Sequence, residues 1–210
     1  MRSIASFISY LFHPLLMATY GCLLVFFGLT NSMYAVYTPL KIKWIITALV
    51  FSFTFCVPVL NIIILYKLKY ISSLKLETKE ERVIPLTLTV FAYFALFYLL
   101  RDFQIWPTIK LLVLGAGISI LIATIITIWW QISAHLIGIG GLVGMLLAFI
   151  FYLQIPVFTM LSVILVIAGI IGFARLKLEA HNQSQVYVGF GVGCLVQFIL
   201  FGLAQYVSFV

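Results

Sequence analysis

The sequence predicts an all-α protein, a polytopic bundle of about six or seven transmembrane helices, and three observations predict it. Of 210 residues, 65% are hydrophobic and 8% charged. An ordinary soluble domain carries about 25% charged residues, so this chain has too few to face water over a whole surface. The mean hydropathy is +1.26. The apolar stretches are also continuous: residues 3–40, 44–66, 83–100, 111–174 and 180–210 contain no Lys, Arg, Asp or Glu. Backbone in lipid must bond to itself, as helices or as a closed barrel. Barrel strands alternate apolar and polar residues, and these runs do not.

A span needs roughly 20 apolar residues. The first is expected over 4–29, carrying His13-Pro14. Its apolar run is too long for a signal peptide, and no small-residue cleavage site stands out, so it reads as a span. The second is expected over 44–66 and a short third over 84–100. The stretch 111–174 is too long for one helix. Polar breaks at Gln131 to His135 and at Gln154 to Pro156 divide it, giving 110–130, 135–153 and 157–174, and a seventh span follows over 184–208. The expected organisation is two N-terminal spans over 1–66 and a membrane core over 67–210. Cys22, Cys56 and Cys194 fall inside spans without a CxxC pair or metal-ligand spacing, and read as packing residues. The net charge of +7 points in such a chain to anionic head groups or an anionic substrate, not to nucleic acid.

With so little charge, its placement is informative. Counting spans, the side holding the N-terminus also holds 67–83, 131–134 and 175–183. It receives Arg2, Lys67, Lys69, Lys75, Lys79, Arg82, Arg175 and Lys177, eight of the twelve basic residues, together with His135 and His181. Lys41, Lys43, Arg101 and Lys110 fall on the other side. Lysines at span ends snorkel to the interface, which accounts for Lys67, Lys69 and Lys110. Histidine is not needed as an anchor. His135 and His181, on one face with Lys75, Arg82 and Arg175, suit an anion. Glu77, Glu80 and Glu81 near Lys75 read as a helix-style salt-bridged loop.

Three segments on that face have ordered spacing. Lys75 and Arg82 are separated by six residues. Ser133-Ala134-His135 opens the fifth span. Arg175, five residues, His181, three residues and Gln185 lead into the seventh. From Lys75 to Gly193 the chain resembles the type-2 phosphatidic acid phosphatase superfamily, membrane lipid phosphatases related to haloperoxidases. The family's Lys-x6-Arg-Pro, Pro-Ser-Gly-His and Ser-Arg-x5-His-x3-Asp motifs match in their Lys, Arg, Ser and His positions. Here Pro85 is displaced, Ile132 and Ala134 stand for the Pro and Gly of the second motif, Ala174 for Ser, and Gln185 for Asp.

The resemblance implies an enzyme, a metal-independent lipid phosphate phosphatase without cofactor. Lys75, Arg82, Ser133 and Arg175 would bind the phosphate, with Arg supplying the bidentate fork that fits it. His181 would be the nucleophile forming a phospho-histidine, His135 the general acid and base, and Gln185 the group orienting His181. A Gln carbonyl accepts the same hydrogen bond as Asp but supplies no negative charge. Glu179 is a candidate for compensating carboxylate. The substrate would be a phospholipid or isoprenoid phosphate: phosphatidic acid, phosphatidylglycerophosphate or a polyprenyl diphosphate. By resemblance the site faces the periplasm or exterior of a bacterial inner membrane. The alternative, which Gln185 and Ala174 motivate, is a lipid-phosphate binding or carrier protein with weakened catalysis. A transporter would need ionisable residues at mid-depth, and His13 alone meets that need. The glycines after His135 (Gly138, Gly140, Gly141, Gly144) and after His181 (Gly189, Gly191, Gly193) predict close helix packing behind the site.

Overall fold

A computed structural model describes residues 2–29, 37–74, 76, 78–103 and 105–206. Among these residues the protein is all α, without strands, and seven helices are long and apolar enough to cross a membrane. The expected fold class and span order hold. Lys75 and Glu77 lie outside the described residues.

The first span is broken where the sequence carries His13-Pro14. Helix α1 (Arg2–Leu11) ends, a 3-10 turn runs Pro14–Leu16, and α2 (Met17–Leu23) continues into a π turn at Leu24–Gly28. Proline has no N–H and its ring crowds the preceding turn, so a straight helix cannot pass through it. The second span joins α3 (Leu40–Phe51) to α4 (Val57–Lys67) through a π turn at Ser52–Cys56, just before Pro58. Both interruptions have the cause that usually kinks a membrane helix.

The third span, α5 (Lys79–Leu100), starts earlier than its apolar residues suggest. Thr78 caps it by accepting the Glu81 N–H at 3.4 Å. Glu80 and Glu81 occupy the first turn, where the helix dipole favours negative charge. The charged run is therefore a helix start, and it lengthens the span to 22 residues. The fourth span, α6 (Pro107–Thr127), opens on a proline whose missing N–H costs nothing there. Lys110 does not snorkel: it is buried, and its ammonium donates to the Arg101 carbonyl at 2.9 Å, closing the end of α5.

The fifth span, α7 (Ala134–Phe151), is the centre of the bundle, with 61% of its apolar window buried. The sixth is α8 (Phe158–Lys177) and the seventh α9 (Gln183–Tyr206). Helices α7 and α9 meet backbone to backbone. A methyl group added to Gly140 would collide with the Phe190 carbonyl, one on Gly144 with the Cys194 carbonyl, and one on Gly193 with the Ile137 carbonyl. Each helix thus places two glycines four residues apart, 140 and 144 against 189 and 193, at the contact. Without a hydrophobic drive between helices in lipid, such close packing holds them together. Large apolar side chains such as Phe91, Tyr98, Val166 and Phe173 remain on the outside, where lipid, not water, receives them.

Candidate functional site

The junction between α8 and α9 explains the spacing of the third motif. Helix α8 closes with a Schellman turn: Glu179, at φ 55°, donates its N–H to Leu176 O at 3.0 Å, and Ala180 donates to Arg175 O at 3.2 Å. One residue later α9 opens with a reciprocal capping box. Asn182 Oδ1 accepts the Gln185 N–H at 2.9 Å, and Gln185 Oε1 accepts the Asn182 N–H at 3.0 Å. His181 is the single residue between the helix stop and the helix start.

Gln185 Oε1 also receives His181 Nδ1 at 3.1 Å. Because the Asn182 N–H is a donor, the group presented is the amide oxygen, so the proton of a neutral His181 ring sits on Nδ1. Nε2 then carries the lone pair. Burial, then the nearby Arg175 and Arg82 guanidinium groups, push the His181 pKa down to about 4, partly offset by Gln185 and the Gln131 backbone. The ring is neutral at pH 7.

The second motif is tied to the third. Ser133 N–H donates to Gln185 O at 3.3 Å, and a methyl on Gly189 would lie 2.8 Å from Ser133 O. Only glycine on α9 lets the two helix starts approach this closely. His135, in the first turn of α7, bonds through Nε2 to Ser9 O of α1 at 3.1 Å. A carbonyl only accepts, so this proton belongs to His135 Nε2. Arg175 Nη1 donates to Ser9 Oγ at 3.3 Å, and its buried Nε has no hydrogen-bond partner among the described residues. Arg82 Nε donates to Leu76 O at 2.7 Å.

Arg82, His135, Arg175 and His181 line one cavity of about 250 Å³. No carboxylate lies among its described lining residues. The ion pairs of the described residues are all elsewhere and exposed: Arg2 with Glu179, Lys79 with Glu80, Arg101 with Asp102. Glu179, considered above as a compensating carboxylate, is engaged with Arg2 at 3.1 Å. From the cationic end the cavity continues between apolar walls, including Leu86, Leu112, Ala116, Ile120 and Leu142, down to Gln197.

Two expected residues stand apart from the wall. Ser133 is fully buried and its Oγ has no partner among the described residues; it does not line the cavity. Gln185 acts behind His181. The motifs left out the first span entirely, yet Ser9 holds both His135 and Arg175, and His13 lines the cavity with its ring centroid 5.9 Å from that of His135. The available signal was His13-Pro14 itself, an ionisable residue beside a helix breaker in the middle of a span. Comparison of the chain with protein-family models, curated proteins and solved structures finds no match.

Proposed function

We propose that this membrane protein hydrolyses a lipid phosphate or diphosphate through a phospho-histidine. The observation that carries the reading is the charge of one cavity: two arginines and three histidines, no carboxylate among its described lining residues, and an apolar extension into the bundle. Two guanidinium groups facing a buried space call for an anion, and the apolar extension calls for that anion to bear a tail. A phosphate on a lipid meets both demands.

Phosphoryl transfer depends on positioning and on positive charge around the equatorial oxygens. In this reading Arg82 and Arg175 supply that charge, with Lys75 as a further candidate. His181 Nε2 attacks phosphorus, the bond to the leaving oxygen breaks, and His135 delivers a proton to that oxygen. Water then attacks the phospho-histidine, its proton passes to His135, and the nitrogen–phosphorus bond breaks to release phosphate. Neutral His135 carries its one proton on Nε2, which donates it in a hydrogen bond to the Ser9 carbonyl. Acid work therefore uses a second proton on Nδ1, which the charge of a bound phosphate helps to hold. Gln185 keeps the proton of His181 on Nδ1 and so leaves the lone pair on Nε2 for the attack.

The test is purified protein with phosphatidic acid, phosphatidylglycerophosphate and a polyprenyl diphosphate. We expect phosphate release from at least one of them, abolished in His181→Ala and reduced about 10²–10⁴-fold in His135→Ala. Release no greater than from His181→Ala protein on every lipid would remove the catalytic reading.

A second reading, a lipid-phosphate binding or carrier protein, is favoured by one observation. Gln185 shares its amide oxygen between the helix cap and His181 and brings no negative charge to His181. It predicts head-group binding without turnover, and strong wild-type turnover would exclude it. On orientation, the motif resemblance favours a bacterial inner membrane with the site towards the periplasm or exterior. A reporter fused after the seventh helix is then expected in the cytoplasm.

A further inference from the structure

We propose that His13 is a third phosphate-binding histidine, donating its Nε2–H to an oxygen of the anion in the cavity. The inference rests on the phosphate reading above, but on a residue outside the motifs that suggested it. The chain has three histidines, and all three line this one cavity. Their protons are committed differently. The proton of neutral His135 goes to Ser9 O and that of His181 to Gln185 Oε1. His13 instead accepts: its Nδ1 takes the Leu15 N–H at 3.4 Å, capping the Pro14–Leu16 turn. A nitrogen that accepts carries no proton, so neutral His13 holds its proton on Nε2, across the ring from the backbone. Among the described residues, His13 is the one histidine whose N–H has no protein acceptor.

The ring is also held in place. It meets His135 edge to face and Phe55 edge to face, with centroids 5.9 Å and 6.2 Å apart. The capping role does not explain the residue type. Ser, Asn or Asp would cap at least as well, and an ionisable ring inside a membrane span is costly. Histidine adds to the cap a ring N–H, on a residue that lines the cavity beside the proposed acid. Bound phosphate would then be held by Arg82 and Arg175 and by His13 from the first span, while His181 and His135 do the chemistry.

Orthovanadate, a tetrahedral anion resembling phosphate, provides the probe. In wild-type protein labelled with 15N-histidine, its addition is expected to move all three imidazole signals. His13→Asn keeps a side-chain oxygen for the cap and assigns the His13 signal. It is expected to weaken vanadate binding about tenfold or more, with a thermal midpoint near that of wild type. A His13 signal that stays still while the other two move overturns the inference, as does equal vanadate affinity in wild type and His13→Asn. That all three signals move is read on wild-type protein alone, without any variant having to fold. Wild-type protein that binds no vanadate overturns the phosphate reading itself, and the role of His13 with it.

Discussion

Gln185 is the residue where the chain departs most from the motif it resembles, and its side-chain oxygen serves two donors, the Asn182 N–H and His181 Nδ1. Glutamate has the same length, is favoured at this position of a capping box, and adds the charge that a developing imidazolium needs. Gln185→Glu is therefore expected to keep the helix start and raise hydrolysis by about tenfold or more. Gln185→Asp, one methylene shorter, loses reach to both donors and gains less. Initial rates and thermal midpoints of the two variants check this. If wild type sits at the His181→Ala background and Gln185→Glu does not, the native protein is a binder. His181 also leaves a mark on stability. Its pKa is about 4 in the folded protein against the ordinary 6.5. Between those values the unfolded chain takes up a proton that the folded chain refuses. Stability is thus full above pH 6.5 and falls as pH drops towards 4, by up to about 3 kcal/mol. Denaturation midpoints in detergent at pH 7, 5.5 and 4.5 should show the fall, with a shallower slope in His181→Ala.

Helices α7 and α9 carry the site because their glycines let the two helix starts share a hydrogen bond. Replacing Gly140 or Gly193 with alanine drives a methyl into a carbonyl of the facing helix. We expect each change to destabilise by about 1–3 kcal/mol and to lower turnover by displacing Ser133 from Gln185. Gly169 and Gly191 are the contrast. A methyl at either meets nothing within 4 Å, so alanine there should be neutral or stabilise by up to about 1 kcal/mol. Unfolding midpoints of the four variants separate the two classes. The helices themselves were legible in sequence because lipid imposes long uninterrupted apolar runs. Their ends were less so. The third span begins among Lys79, Glu80, Glu81 and Arg82, which look like a loop until Thr78 is seen to cap them. The Schellman turn at Glu179 was hidden too, since it uses a left-handed residue that is not glycine.

Across the whole molecule, the cavity joins a cationic end to an apolar interior, and the two should be separable. Ala116 and Ile120 of α6 line the apolar part. Filling it with Ala116→Phe is expected to raise KM for a long-chain lipid phosphate several-fold and to leave a short-chain phosphate unchanged. A rise in KM for both would place the tail elsewhere. The ordered motifs mark Arg82, His135, Arg175 and His181 in the sequence, and these four line one space. Ser9 escapes notice in the sequence, and His13 is weighed there only as a transporter residue, because the partners that matter lie far along the chain: Ser9 reaches His135 across 126 residues and Arg175 across 166. Local periodicity carries no record of such pairings.

The anchoring of His135 and Arg175 on Ser9 has a consequence for biogenesis. The span that carries Ser9 is synthesised before the fifth and sixth, so these contacts form only once both of those have entered the bilayer. A nascent chain stopped before Gln183 would expose its arginines and its first two histidines without the cap that orients His181. On the phosphatase reading, competence would then arrive only with the seventh span, which brings the cap of His181, and a chain halted before it would leave the lipids around it unaltered.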